Sequence, residues 1–189
     1  MAERLPTFAG FAGLAALALS ACAPIVYESA PQAGVGAQPR IQPPPVFDPN
    51  GAPEIDASAG FLQCVPFARG LSGIQIFGDA NTWWASAAGR YPRSSLPAPG
   101  AVLVLEGYRT TARGHVAVVT AMVSAREIRV DHANWMNGGE VTRRVPVLDV
   151  SPNNDWTEVR VWHIPSGSWG ARIYRAEGFI HPVPVSFSS

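Results

Sequence analysis

Residues 115–135 read HVAVVTAMVSAREIRVDHANW, and this stretch decides the fold. Two runs rich in β-branched residues alternate apolar and polar side chains around a short polar break, which is typical of two strands joined by a tight turn. If the turn centres on Ser124 and Ala125, Val119 lies opposite Val130 and both side chains point to one face. The stretch therefore predicts an antiparallel hairpin with one apolar face.

The same register collects three polar residues at one end of the apolar face. It places His115 opposite Asn134 and His132 opposite Ala117, whereas Asp131 points to the reverse face. A histidine on an apolar sheet is by default a core or rim residue whose ring is satisfied by a neighbour. Three polar groups that converge at one edge also fit a general base with its orienting residues.

Upstream of the hairpin, residues 62–69 read LQCVPFAR. Proline fits a helix only in the first turn, so Pro66 predicts a helix that begins near Cys64. A helix start presents free N–H groups and the positive end of the helix dipole, which favour a thiolate. Cys64 is therefore a candidate nucleophile with a lowered pKa. The plainer alternative is a buried cysteine that packs as a small hydrophobe.

The remaining pattern indicates short helices followed by strands. The segment GDANTWWASAAG, with Asp79 as N-cap and Gly89 as stop, predicts a second helix. Residues 101–105 and the run TEVRVWHIP at 157–165 predict further strands. This order favours an α+β domain in which N-terminal helices pack on an antiparallel β-sheet.

Residues 1–22 resemble a bacterial lipoprotein signal peptide. Arg4 precedes an apolar run that is too short to span a membrane comfortably, and the run ends in LSAC, which resembles a lipobox. The resemblance implies a lipid on Cys22, and Ala23 after it implies the outer membrane. An ordinary cleaved leader is the alternative.

The chain after the leader divides into three segments. Residues 23–58 are rich in proline, alanine and glycine, which predicts a disordered tether. Residues 59–165 form the expected folded domain, and residues 166–189 are an apolar extension expected to pack on it as one more strand. If Cys22 carries lipid, export leaves Cys64 without a disulfide partner, which suits a reactive thiol.

The composition argues against a nucleic-acid-binding surface. The chain has 189 residues, with 14 basic and 14 acidic residues and no net charge, and the basic residues are scattered among the acids. The hydrophobic content of 47 % suits one globular domain with additions.

Taken together, these motifs resemble the CHAP domain, a family of cysteine- and histidine-dependent amidohydrolases/peptidases in the papain-like superfamily. The resemblance covers roughly residues 60–163 and rests on the segments LQCVPFAR, GDANTWW, PAPGAVLVL, RGHVAVV and DHANW. It implies a papain-like α+β fold. Because many members cut peptidoglycan, it also implies a cell-wall hydrolase at the periplasmic face of the envelope. Peptidoglycan is then its partner, and no cofactor is expected.

The resemblance also assigns roles to individual residues. Cys64 matches the nucleophile and His115 matches the base. The third strand of the family commonly reads Glu-x-Asn, and the matching positions here are His132 and Asn134, so the glutamate is absent. The orienting group is then Asn134, His132 or, if a bulge turns it inward, Asp131.

The implied chemistry is acyl transfer to cysteine. The oxyanion is expected to bind to the backbone N–H of Cys64 and the side chain of Gln63. The bond cut is the N-acetylmuramoyl-L-alanine amide or an amide within the stem peptide. Trp84 and Trp135 are candidates for a substrate groove, although core packing explains them equally well.

Two other functions stay open on the sequence alone. The missing glutamate is compatible with a lipoprotein that keeps the CHAP fold and binds peptidoglycan or a partner without catalysis. Cys64, His115 and His132 are also possible metal ligands, but their spacing matches no standard zinc motif.

Overall fold

The computed structural model describes residue 48 and residues 51–183. The strands are β1 (Glu54–Phe61), β2 (Arg93–Ser94), β3 (Val102–Leu105), β4 (His115–Met122), β5 (Glu127–Ala133), β6 (Glu140–Asp149), β7 (Glu158–His163), β8 (Ser168–Trp169) and β9 (Tyr174–Ile180). The α-helices are α1 (Cys64–Ser72) and α2 (Trp83–Ala87), and 3₁₀ turns span Ala80–Thr82 and Ile164–Ser166.

Six strands close into an antiparallel barrel. Each strand from β3 to β7 pairs with the next, and β9 is hydrogen-bonded to both β3 and β7, which joins the two ends of the sheet. The expected α+β fold with helices on an open antiparallel sheet is therefore wrong. The alternating pattern identified single strands, but closure depends on β9, whose pairing partners are distant in sequence.

The barrel interior is one apolar cluster to which all six strands contribute. The clustered strand residues are Leu103, Leu105, Ala117, Val119, Ile128, Val130, Val145, Val147, Val159, Val161, Tyr174 and Phe179. Val119 pairs with Val130, which confirms the predicted register at that point. Beyond this pair a bulge between Val119 and Ala121 shifts the register, and Ala121 pairs with Arg129.

The helices cover part of the outside of the barrel. Alternate residues of β3 and β4 point outward and form a second cluster with the helical segment, which includes Val104, Val116, Ala68 and the fully buried Trp83. α1 ends at Gly73, whose φ of 76° is the left-handed conformation that glycine adopts without strain. This packing fixes the start of α1 against β4.

Three strands, namely β1, β2 and β6, lie where the sequence predicted none. β6 carries Pro146 and a left-handed Arg144 (φ 55°), which obscure its strand pattern. β1 begins at Glu54, inside the segment 23–58 expected to be a tether, and it pairs with β6. The extension 166–189 contributes β8 and β9.

The predicted leader and the predicted lipidation site at Cys22 lie outside the described residues. Within residues 51–183, no helix has the length and apolar character needed to cross a membrane. The helices described are short, with 9 residues in α1 and 5 in α2.

Candidate active site

Cys64 is the first residue of α1. The N-cap is Gln63, in an extended conformation, and its carbonyl oxygen accepts the first helical hydrogen bond from the Phe67 N–H at 3.2 Å. Pro66 is the third helical residue, where its missing N–H has no helical acceptor to lose. The local sequence thus places the thiol at the helix start, as the proline predicted.

The Cys64 thiol is half-buried. Burial raises its pKa above the ordinary value, although backbone N–H groups of Val116, Val65 and Cys64 itself act in the opposite direction, and the negative charge of Asp79 adds to the rise. The expectation of a lowered thiol pKa is therefore wrong. The resting group is a thiol, which becomes a nucleophile only when a base removes its proton.

His115 and His132 form a buried pair. The Nε2 atom of His115 lies 3.0 Å from the Nδ1 atom of His132, and the two residues are only 7 % and 2 % exposed. Burial depresses the pKa of both rings: that of His115 falls well below its usual value, with a further contribution from His132, and that of His132 falls to about 3. Both imidazoles are therefore neutral near pH 7.

The contact between the two histidines uses Nε2 of His115, so Nδ1 is the ring nitrogen left for another partner. Since a neutral imidazole has one donor and one acceptor nitrogen, the contact at Nε2 determines the role of Nδ1. If His115 Nε2–H donates to His132 Nδ1, the Nδ1 atom of His115 is an unprotonated base. In that tautomer, the contact with His132 would fix the orientation of the His115 ring and the position of its proton.

Asn134 contacts Gln63, at the start of α1, instead of His115. Its Nδ2 donates to the Oε1 atom of Gln63 at 2.6 Å, and its backbone is left-handed with φ 59°. No hydrogen bond joins Asn134 to His115 in the described part of the chain. Because the side-chain Oε1 of Gln63 accepts this hydrogen bond, the Nε2 donor of the same amide is the group left for a ligand.

Asp131 points away from the histidines. It accepts hydrogen bonds from the Arg143 guanidinium at 3.1 Å and from the Arg144 backbone N–H at 2.8 Å. The β5–β6 register shifts between Val130 and His132, but this irregularity does not turn Asp131 toward His115, and the carboxylate is ion-paired with Arg143 on the reverse face of β5. Of the three candidate orienting residues, only His132 contacts the His115 ring.

Cys64, His115 and Asn134 line one open cleft of about 770 Å³, together with Gln63 and Asp79. One wall is built by a close approach before β4. A Cβ atom on Gly114 would lie 2.7 Å from the Leu105 carbonyl oxygen and 2.9 Å from the Asn81 backbone nitrogen. Glycine is therefore needed directly before His115 for the 3₁₀ turn to reach the strand.

The two candidate groove tryptophans lie in different places. Trp135 packs edge-on against His115, with ring centroids 4.6 Å apart, and stacks on His132 at 5.5 Å. Trp84 packs in the outer helical layer, under the Arg93 guanidinium, and does not line the cleft. The sequence did not predict the contact between Gln63 and Asn134, because a side-chain hydrogen bond across 71 positions has no local signal.

No cluster of three metal-ligating side chains suited to an ion occurs in the described residues. His115 and His132 instead use facing nitrogens to contact each other.

Comparison with known proteins supports the resemblance. The family model of the CHAP domain matches residues 55–134, which include Cys64, His115, His132 and Asn134. CHAP domains are generally amidohydrolases or peptidases, and the match suggests a peptidoglycan hydrolase or amidase family. The match is shorter than the span 60–163 expected at its C-terminal end, and β6 to β9 lie beyond it. A search of curated proteins finds no match.

Proposed function

We propose that the protein hydrolyses an amide bond of peptidoglycan with Cys64 as nucleophile, His115 as general base and His132 as the residue that positions the base. The single observation that carries this proposal is the contact between His115 Nε2 and His132 Nδ1, beside a cleft that Cys64 also lines. It supplies the orienting group that the missing glutamate would provide. The CHAP match supports peptidoglycan as the substrate class.

The first half of the reaction forms a thioester. The Nδ1 atom of neutral His115 accepts the Cys64 proton while the sulfur bonds to the carbonyl carbon of the substrate. The Cys64 backbone N–H and the Gln63 Nε2 donate to the oxyanion. The tetrahedral intermediate collapses when His115 returns its proton to the leaving nitrogen, so the C–N bond breaks and an amine departs.

The second half restores the enzyme. His115 removes a proton from water as its oxygen attacks the thioester carbonyl, and the C–S bond breaks to release a carboxylic acid and the Cys64 thiol. In both halves the imidazolium of His115 donates through Nε2 to the neutral His132. A neutral acceptor in place of a carboxylate stabilises this cation less.

One set of observations favours a second candidate, a CHAP-fold lipoprotein that binds peptidoglycan or a partner without catalysis. Burial raises the pKa of the Cys64 thiol, and among residues 51–183 no carboxylate forms a hydrogen bond or ion pair with His115. Binding without hydrolysis is therefore the outcome that replaces the enzyme proposal.

The decisive experiment compares wild type with Cys64→Ala on purified peptidoglycan. Product release should fall by roughly 10⁴-fold or more, because the substituted protein lacks the nucleophile. Leu71→Ala, an exposed change on the same helix, should leave the rate unchanged. Mass spectrometry of the products distinguishes an N-acetylmuramoyl-L-alanine amidase from a stem-peptide endopeptidase. Wild type that binds peptidoglycan and releases nothing would establish the second candidate.

We further propose that a lipid on Cys22 holds the protein in the outer membrane, with the segment after it as a tether into the periplasm. Two or three acyl chains provide firm anchoring, since each buried CH₂ contributes about 0.8 kcal/mol. Cys22→Ser should abolish metabolic labelling with a fatty acid in a Gram-negative host.

A further inference from the structure

A groove that Trp135 helps to line lies beside the candidate active site. The Trp135 ring packs against His115 and also lies 4.9 Å from the ring of Tyr174, which lines the same groove. Trp169 and Arg172 also line this groove, which has a volume of about 360 Å³. We call it the Trp135–Arg172 groove. Trp135 is thus a shared wall between the catalytic histidines and the groove.

Another wall of the groove is polar. The Nδ1 atom of His163 lies 2.7 Å from the hydroxyl of Ser166, which lies 2.9 Å from the hydroxyl of Ser168. The hairpin that carries them is held by an edge-on contact between Trp162 and Trp169 at 5.4 Å. Aromatic faces and hydroxyl groups together suit a ligand with both aliphatic and polar parts.

Arg172 gives the groove a positive charge. Its guanidinium lies 4.8 Å from the Tyr108 ring centroid, and its Nη1 atom lies 4.0 Å from the Met136 sulfur. In the described residues no acidic side chain forms an ion pair with it. The planar guanidinium can therefore offer paired N–H donors, the geometry that matches a carboxylate.

We propose that the Trp135–Arg172 groove binds a carboxylate-bearing part of the peptidoglycan stem peptide, with Arg172 paired to the carboxylate. The ligand class rests on the proposed function, because stem peptides carry free carboxylates and the groove adjoins the proposed catalytic pair. Charge complementarity with Arg172 favours this part of the polymer over its neutral sugar hydroxyls. Trp169, Arg172 and Tyr174 lie beyond the residues that match the CHAP model, so this subsite belongs to the part of the chain that closes the barrel.

A binding assay tests the subsite apart from catalysis. In the Cys64→Ala protein, a soluble muropeptide with free carboxylates should bind about tenfold more tightly than the same muropeptide with its carboxylates converted to amides, as expected for loss of a charge-assisted pair. Arg172→Gln should remove this preference. Arg109→Gln is the matched control, because Arg109 also lies over the Tyr108 ring, at 5.1 Å, but lines a different surface. It should keep the full preference.

The outcomes separate the subsite from the proposed function. Equal binding of the two muropeptides, no binding of either, or a preference that survives Arg172→Gln would overturn the subsite. Wild type that fails to cleave peptidoglycan while Cys64→Ala still shows the Arg172-dependent preference would overturn the enzyme and keep the subsite. Wild type that cleaves peptidoglycan, with no preference of the Cys64→Ala protein for the free carboxylates, would keep the enzyme and overturn the subsite.

Discussion

Two adjacent residues of β5, Asp131 and His132, occupy opposite faces of the strand and show two different uses of a buried polar group. Asp131 is ion-paired with Arg143, which also pairs with Asp56 of β1, and it accepts the Arg144 backbone N–H. His132 contacts the ring of His115 instead. The Asp131 carboxylate is ion-paired and hydrogen-bonded, whereas the His132 imidazole is neutral.

The difference separates a structural site from a candidate chemical one. A carboxylate that already accepts from an arginine and a backbone N–H has its charge compensated, so it has little to offer a reacting proton. Two neutral imidazoles in contact carry no charge that must be compensated, and each keeps a second ring nitrogen that can accept or donate a proton. The two faces should therefore respond differently to substitution.

The largest contrast is expected between His132→Gln and Asp131→Asn. His132→Gln should lower kcat by about 10²- to 10³-fold, because His115 loses the neighbour that holds its tautomer and orientation. Asp131→Asn should lower the free energy of unfolding by about 2 kcal/mol, since a hydrogen-bonded charge pair is lost, and leave kcat close to that of wild type. Steady-state kinetics and denaturant unfolding of both variants give the two numbers.

The reverse pattern would contradict this division of β5. If Asp131→Asn lowers kcat more than His132→Gln in folded protein, the carboxylate takes part in the chemistry and the assignment of His132 fails. Arg143→Gln provides a second check, because it should lower stability by more than Asp131→Asn, since it also loses the ion pair with Asp56, and leave kcat unchanged.

Alternation was enough to predict this separation, because side chains two positions apart share a face whatever the strand pairs with. Pro66 likewise marked the start of α1. Closure of the barrel by β9 could not be predicted in this way, since it depends on pairing between distant strands. The direction of the Cys64 pKa was also beyond the sequence, because burial depends on how deeply the helix start packs against β4. Desolvation of the thiol raises its pKa by more than the backbone N–H groups at the helix start lower it.

Stability against pH sharpens the same comparison. The depressed pKa values of His115 and His132 mean that the unfolded chain binds protons below pH 6.5 while the folded pair does not. Stability is therefore complete above that pH and is lost as the pH falls toward the folded-state values. Between pH 6.5 and 5 the protonation of His132 in the unfolded chain should lower the free energy of unfolding by about 2 kcal/mol, and His115 acts in the same direction.

Denaturant unfolding at pH 7 and pH 5 measures this effect. The double variant His115→Gln/His132→Gln should lose most of the pH dependence, whereas Asp131→Asn should keep it although its stability is lower throughout. Equal stability of wild type at the two pH values would show that the pair is not buried and neutral.

The smallest effect is expected at Asn134, which contacts the proposed oxyanion donor Gln63 and not the proposed base His115. The left-handed φ of 59° makes Asn134→Gly the informative change, because glycine adopts this conformation freely whereas alanine would add backbone strain. Loss of the 2.6 Å hydrogen bond to Gln63 should lower kcat by about tenfold, less than the loss of an oxyanion donor itself, while stability stays near that of wild type. Gln63→Ala should have the larger effect because it removes the donor. Once that donor is gone there is nothing left for Asn134 to position, so Asn134→Gly in the Gln63→Ala background should cost no further activity. If the two losses multiply instead, Asn134 acts independently of Gln63, and its role in orienting His115 must be reconsidered.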